Sequence, residues 1–130
     1  MSRELQVLLV EDNLINQKVM TKLLESVGEA GIEAVETGEK ALSRLQEDRF
    51  DLVFMDIQLE GIDGLEATRR IRALQSGATG NDVPVVILSG YSDEQTEDEA
   101  RRAGANRYLL KPVSPQMLSS LLGELELPLP

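Results

Sequence analysis

Residues 5–28 read LQVLLVEDNLINQKVMTKLLESVG, a short apolar run followed by a helical pattern. The run Leu5–Val10 is apolar at almost every position, which predicts a strand buried on both faces. Asp12 or Asn13 is a candidate helix cap, and Gly28 stands where a helix would end. Between these ends, apolar residues recur at helical spacing: Ile15, Val19, Leu23 and Val27. The stretch therefore predicts one strand followed by one helix.

The same alternation continues to the end of the chain. Five strands are predicted: Leu5–Val10, Ile32–Glu36, Leu52–Met55, Val85–Ser89 and Arg107–Leu110. The first, third and fourth are the most apolar and suit the middle of a sheet, whereas the second and fifth suit its edges. Strands that alternate with helices are typical of an α/β domain with a parallel sheet.

The remaining helices differ in how clearly the sequence marks them. The second is short, with Ala41, Leu42 and Leu45, and the third carries Leu65, Thr68, Ile71 and Leu74 before the irregular stretch Ser76–Asp82. The fourth, Asp93–Ala103, offers mostly two alanines for burial, so we expect either a mobile signalling element or an ordinary solvated helix. The fifth begins at a Ser114 cap and Pro115 and buries a leucine stripe: Leu118, Leu121, Leu122 and Leu125.

Length and composition exclude several classes of protein. A chain of 130 residues suits one domain, and its lack of cysteine and histidine excludes disulfides, thiolate zinc sites and a phosphohistidine of its own. A formal net charge of −10 opposes binding to nucleic acid. No run is long and apolar enough to span a membrane or form a signal peptide, so we expect a cytoplasmic location. We expect the tail Leu127–Pro130 to be frayed.

Polar residues end or directly follow four of the predicted strands. They are Glu11, Asp12, Asp56, Ser89 and Lys111. Ligands of open parallel sheets bind at the carboxyl ends of the strands, and three carboxylates gathered there favour a magnesium site, with calcium less suitable. Asp56 could act as a nucleophile that forms an aspartyl phosphate, with Lys111 and Ser89 contacting the phosphoryl oxygens. Individually, Asp12 could be only a helix cap, Lys111 a surface lysine and Ser89 the start of a turn.

Four motifs in order resemble the response-regulator receiver family of two-component signalling. They are VLLVEDN (7–13), LVFMDIQLEGIDG (52–64), VVILSG (85–90) and YLLKP (108–112). The resemblance implies a flavodoxin-like, single-domain (βα)5 three-layer sandwich with a five-stranded parallel sheet in the order 2-1-3-4-5. We expect one receiver domain over residues 1–130, with a core from about 5 to 125.

The resemblance also implies a role for each site residue. Asp56 is similar to the phosphoacceptor, and magnesium would be bound by Glu11, Asp12, Asp56 and the backbone carbonyl of Gln58. Lys111 matches the lysine that contacts the phosphoryl group, followed by an expected cis Lys111–Pro112 bond. Ser89 and Tyr108 match the switch hydroxyl and the switch aromatic residue, although Tyr108 could be an ordinary edge-strand tyrosine.

Two segments refine the resemblance. Leu59 and Glu60 replace a common Met-Pro pair, which we expect to alter the loop without removing acceptor function. The segment EDNLINQKV resembles receivers of hybrid histidine kinases, which implies a histidine kinase or a histidine-phosphotransfer protein as partner. Such a partner would dock near Leu14, Ile15 and Pro112, unless Ile15 belongs to the core.

Three functions compete at this stage. The favoured one is a phosphorylation switch that signals without being an enzyme. A small aspartyl-phosphate phosphatase is disfavoured because its usual second aspartate is replaced by Gln58 and the chain has no room for a cap domain. A phosphorylation-independent interaction module of the same fold remains the alternative.

Overall fold

The computed structural model describes residues 5–28, 30–90 and 93–125. Five strands alternate with five helices: β1 Leu5–Val10, α1 Leu14–Ser26, β2 Ala30–Val35, α2 Gly38–Glu47, β3 Leu52–Asp56, α3 Gly64–Arg72, β4 Val85–Ser89, α4 Glu94–Ala103, β5 Arg107–Leu110 and α5 Pro115–Glu124. All neighbouring strands are parallel, in the order β2-β1-β3-β4-β5. The predicted fold and strand order are confirmed.

The central strands separate two apolar clusters, one on each face of the sheet. Alternate residues of a strand point to opposite faces, so Val53 packs in the cluster under α2, α3 and α4, and Phe54 in the cluster under α1 and α5. Every residue of β3 and β4 is buried. The result is the predicted three-layer sandwich, with β2 and β5 at the edges.

Several predicted boundaries move. Strand β2 begins and ends earlier than predicted, and α3 ends at Arg72, so the prediction that Leu74 belongs to this helix is wrong. Ala73 caps the helix, and beyond it the Leu74 carbonyl accepts from the Asn81 side-chain amide at 2.9 Å. The irregular stretch that follows is anchored by the buried Thr79, whose hydroxyl donates to the Asp48 carbonyl and accepts from Phe50 N–H.

The last two helices form as the sequence indicates. Asp93 caps α4, which buries Ala100 and Ala103, and its mobility stays a prediction. Ser114 caps α5, Pro115 opens it, and three of its four predicted leucines are fully buried. Leu125 is partly buried at the helix end, and the tail Leu127–Pro130 lies outside the described residues. Within the described ranges, no helix has the length and apolar character needed to cross a membrane.

Candidate functional site

The predicted site residues gather at the carboxyl-terminal edge of the sheet. This is the edge formed by the carboxyl ends of the strands, which lie together because the strands are parallel. Strands β3 and β4 end at Asp56 and Ser89, Glu11 directly follows β1, and Lys111 directly follows β5. The topology thus brings residues that are up to 100 positions apart in sequence within contact distance.

Asp56 is a buried carboxylate with a fixed orientation. Its side chain is reached by Lys111 Nζ at 2.9 Å on Oδ2 and by the backbone N–H of Gln58 at 3.0 Å on Oδ1. Charge-assisted hydrogen bonds of this kind are about twice as strong as neutral ones. Asp56 is therefore held at the mouth of the site while only 5% of its surface is exposed.

Glu11 is a second buried carboxylate beside the first. One oxygen, Oε1, lies 3.4 Å from Lys111 Nζ, and the other accepts from Asn13 N–H at 3.3 Å. Burial, followed by the hydrogen bond and the charge of Asp56, raises the pKa of Glu11 to about 7, against the opposing effect of Lys111 and Asn13. Two buried acids thus share one ammonium group, and the site has an excess of carboxylate.

Lys111 stays charged in this setting. Burial by itself lowers the pKa of Lys111, but the hydrogen bond and charge of Asp56, together with Glu11, raise it above its usual value. The backbone N–H of Lys111 also donates to the Ser89 carbonyl at 2.8 Å, so the end of β4 holds the lysine in place. The interpretation of Lys111 as an ordinary surface lysine is wrong.

The carboxylates fit a hard divalent cation. Glu11, Asp12 and Asp56 each offer an oxygen, and these oxygens all lie within 4.8 Å of one another. The cluster contains oxygen donors only, which is the donor set that Mg²⁺ prefers, and an exposed Asp12 leaves room for water ligands. These oxygen ligands therefore suit magnesium. The carbonyl of Gln58 as a further ligand stays a prediction.

Asp12 is not the helix cap. That position belongs to Asn13, whose Oδ1 accepts from Asn16 N–H at 3.0 Å. Of the two candidate caps, Asn13 is therefore the correct one, and the Asp12 carboxylate lies with the other acids.

The two predicted switch residues have different surroundings. Ser89 is fully buried at the end of β4. Tyr108 is half-buried and packs against the apolar cluster under α2, α3 and α4. The expected cis Lys111–Pro112 bond is confirmed, whereas switching by Ser89 and Tyr108 stays a prediction.

Two residues near the acids were missed by the sequence analysis. Gly64 N–H donates to the Ile57 carbonyl at 3.0 Å, and a Cβ at Gly64 would lie 2.3 Å from the Asp56 carbonyl oxygen. Its signal was a glycine directly after the Asp63 helix cap. Gln17 Nε2 donates to the Glu11 carbonyl at 2.6 Å, and a spacing of six residues gives no local sequence signal.

Comparison with known proteins assigns this arrangement to a family. Residues 7–122 match the response regulator receiver domain family. The chain is a member of that family. The receiver domain shares 36% identity over 121 residues with the sensor protein GacS of Pseudomonas syringae pv. syringae, and 39% over 114 residues with the autoinducer 2 sensor kinase/phosphatase LuxQ of Vibrio vulnificus. These matches cover 93% and 88% of this chain, which spans only 13% of the length of either relative.

A solved structure agrees with both fold and site. The receiver domain of the sensor histidine kinase PA1611 from Pseudomonas aeruginosa is 34% identical, with a TM-score of 0.82, and the match covers 94% of this chain and 97% of that one. That crystal structure holds a magnesium ion in the active site cleft. The chain is thus a receiver domain similar to those of hybrid sensor histidine kinases.

Proposed function

We propose that this receiver domain accepts a phosphoryl group on Asp56. The observation that carries the proposal is the position of that carboxylate: buried at a strand end, contacted by Lys111 Nζ at 2.9 Å and by Gln58 N–H at 3.0 Å, and next to two further acids. Phosphoryl transfer requires an aligned nucleophile and cations that neutralise the equatorial oxygens. Asp56 supplies the first, and Lys111 supplies part of the second.

In the proposed transfer step, one P–O bond forms and one P–N bond breaks. A carboxylate oxygen of Asp56 attacks phosphorus and forms the P–O bond of an acyl phosphate. The P–N bond of a phosphohistidine donor breaks, and its electron pair leaves with the imidazole nitrogen. The Lys111 ammonium group, which contacts the Asp56 carboxylate before the transfer, would then contact the phosphoryl oxygens. The Ser89 hydroxyl would donate to one of these oxygens.

Glu11, Asp12 and Asp56, with the carbonyl of Gln58, would hold the magnesium ion. When bound, Mg²⁺ neutralises carboxylate and phosphoryl charge. The surplus of acids around one lysine supports this assignment, because carboxylate oxygens of three acids lie within 4.8 Å of one another and Lys111 contacts only two of those acids.

The donor would be a phosphohistidine on a histidine kinase or a histidine-phosphotransfer protein. The α1 surface beside the site supports docking of a protein, because Leu14, Ile15 and Val19 are 64%, 71% and 53% exposed. Val19 and Pro112 also help to line a cavity of about 310 Å³ that reaches Glu11 and Lys111. We name this apolar surface of Leu14, Ile15, Val19 and Pro112 the α1 docking face.

We propose signalling rather than turnover as the outcome of phosphorylation. The position two residues after the acceptor holds Gln58, whose side-chain amide has no acidic proton to deliver to a leaving group, as the general acid of a phosphatase would. Phosphorylation would instead bias a two-state equilibrium at Ser89 and Tyr108 and change the surface of α4, β5 and α5. The phosphorylation-independent module gains no support from an intact set of acids and lysine, and a cytoplasmic location stays a prediction.

Intact-protein mass after incubation with acetyl phosphate tests the acceptor. The wild type should gain one phosphoryl group when Mg²⁺ is present and none in EDTA, and Asp56→Asn should gain none. Fluoroberyllate binding, followed by NMR, controls for rapid hydrolysis of the acyl phosphate. Stoichiometric uptake by Asp56→Asn, or a wild type that neither gains mass nor binds fluoroberyllate, would refute the proposal.

A further inference from the structure

A side chain of α1 holds the backbone at the end of β1. The pairing of β1 with both of its neighbours runs as far as Val10, so the carbonyl of Glu11 lies past the paired strand. The side-chain amide of Gln17 donates to this carbonyl at 2.6 Å, at a partly buried position. Gln17 is itself half-buried near the start of α1.

The peptide held in this way connects the two adjacent acids. On the strand side, Glu11 N–H donates to the Val35 carbonyl at 3.0 Å, and on the helix side Gln17 fixes the Glu11 carbonyl. The two peptides that flank the Glu11 Cα are therefore each held by one hydrogen bond, the second of them by Gln17. Their orientation sets the direction in which the Glu11 side chain leaves the backbone, and the second peptide also leads into Asp12.

We propose that Gln17 is a positioning residue for the magnesium site, acting through the Glu11 backbone. The proposal rests on the proposed function of the three acids. Groups that contact metal ligands from outside fix the orientation of those ligands, and their loss typically weakens metal binding about 10- to 100-fold. Gln17 touches the backbone of one ligand and not its carboxylate, so its effect belongs at the lower end of that range.

A merely structural role for Gln17 would have a different signature. The same hydrogen bond also ties α1 to the sheet, and loss of that tie alone would lower the free energy of unfolding in the absence of metal. It would leave the Mg²⁺ affinity of the folded protein unchanged. Metal affinity therefore separates positioning from tethering.

The test compares Gln17→Met with Gln46→Met. Methionine keeps the length of glutamine and its tendency to form helix but has no N–H donor. Gln46 is an exposed glutamine at the far end of α2 and serves as the matched control. For each folded variant, calorimetry gives the Mg²⁺ dissociation constant, NMR of the metal-free protein gives the amide shifts of residues 11–13, and urea titration gives the free energy of unfolding.

We expect Gln17→Met to bind Mg²⁺ about tenfold more weakly, to shift the metal-free amide signals of residues 11–13, and to recover most of its acetyl phosphate uptake at saturating Mg²⁺. Gln46→Met should behave as wild type. A dissociation constant within twofold of wild type would overturn the inference, whether or not Gln17→Met is less stable. A wild type that binds no Mg²⁺ would instead refute the proposed function, and unchanged metal-free amide signals would then still count against Gln17.

Discussion

At the scale of single residues, Lys111 determines how much negative charge the site carries. Its ammonium group lies 2.9 Å from Asp56 and 3.4 Å from Glu11, two carboxylates that also belong to the metal cluster. Lys111 therefore opposes the binding of a cation, although in the proposed transfer it would contact the phosphoryl oxygens. Unit charges 4 Å apart at an effective dielectric constant of 20 interact by about 4 kcal/mol, so the repulsion is large enough to measure.

We predict that Lys111→Met binds Mg²⁺ about tenfold more tightly, equivalent to 1.4 kcal/mol, because one positive charge leaves the site. Uptake from acetyl phosphate should slow by roughly 10²-fold, the cost of losing one donor to a developing anion. Calorimetry and intact-protein mass measure the two effects. Lys22→Met, at an exposed position of α1, is the control. Weaker Mg²⁺ binding by Lys111→Met would show that the lysine mainly holds the acids together.

Sequence could predict the residues whose chemistry is tied to a strand end. Glu11, Asp56 and Lys111 follow apolar strands, and parallel strands bring such positions to one edge. Sequence could not choose between Asp12 and Asn13 as the α1 cap, because both side chains can cap a helix. Gln17 was missed for another reason: its contact depends on the angle between β1 and α1, which only packing determines.

At the scale of elements, the start of α3 is in close contact with the end of β3, where Asp56 lies. A Cβ at Gly64 would lie 2.3 Å from the Asp56 carbonyl oxygen and 2.9 Å from the Ile57 Cα, both backbone atoms. The Gly64 N–H also donates to the Ile57 carbonyl at 3.0 Å, so the start of the helix cannot tilt away without losing this hydrogen bond. The first turn of α3 thus packs directly against the backbone of Asp56 and Ile57.

We predict that Gly64→Ala lowers the free energy of unfolding by about 1–3 kcal/mol, the usual cost of overpacking, and slows phosphoryl uptake because the loop that holds Asp56 must move. Gly123→Ala is the matched control: it lies in α5 with no heavy atom within 4 Å of its added Cβ. Removing a helical glycine there should stabilise by roughly 0.5–1 kcal/mol. Urea denaturation and intact-protein mass give both readouts. A Gly64→Ala protein as stable and reactive as wild type would mean that the contact is easily relaxed.

The elements themselves were largely predictable, and their ends were not. All five strands and five helices follow from apolar runs and helical spacing, with β3 and β4 the clearest because both of their faces are buried. Leu74 extended the pattern of α3 past its real end, where the Asn81 side chain, seven residues further on, donates to the Leu74 carbonyl. The contacts of Thr79 could not be predicted, because its partners, Asp48 and Phe50, lie about thirty residues away in sequence.

At the scale of the whole molecule, the surface combines strong acidity with an apolar region near the site. The formal net charge is −10, yet the large apolar side chains Leu14, Ile15 and Val19 are exposed together at the start of α1. Exposed apolar groups beside a reactive centre typically mark an interaction surface. A donor that carries its phosphohistidine on a protein can use this surface, whereas acetyl phosphate is too small to do so.

We predict that Ile15→Ser slows phosphoryl transfer from a histidine-phosphotransfer protein about tenfold more than it slows uptake from acetyl phosphate. A factor of ten corresponds to 1.4 kcal/mol, which is typical of one well-buried interface residue. The donor is any phosphorylated histidine-phosphotransfer protein that transfers to the wild type, and the rates are measured by intact-protein mass with both donors. Ala78→Ser is the control. Ala78 is exposed in the loop that precedes β4, at the amino ends of the strands, so this change should leave the ratio of the two rates unchanged. An equal loss of rate with both donors would show that Ile15 affects the reaction at Asp56 and not docking. No loss of rate with either donor would show that Ile15 takes no part in docking and would count against the α1 docking face.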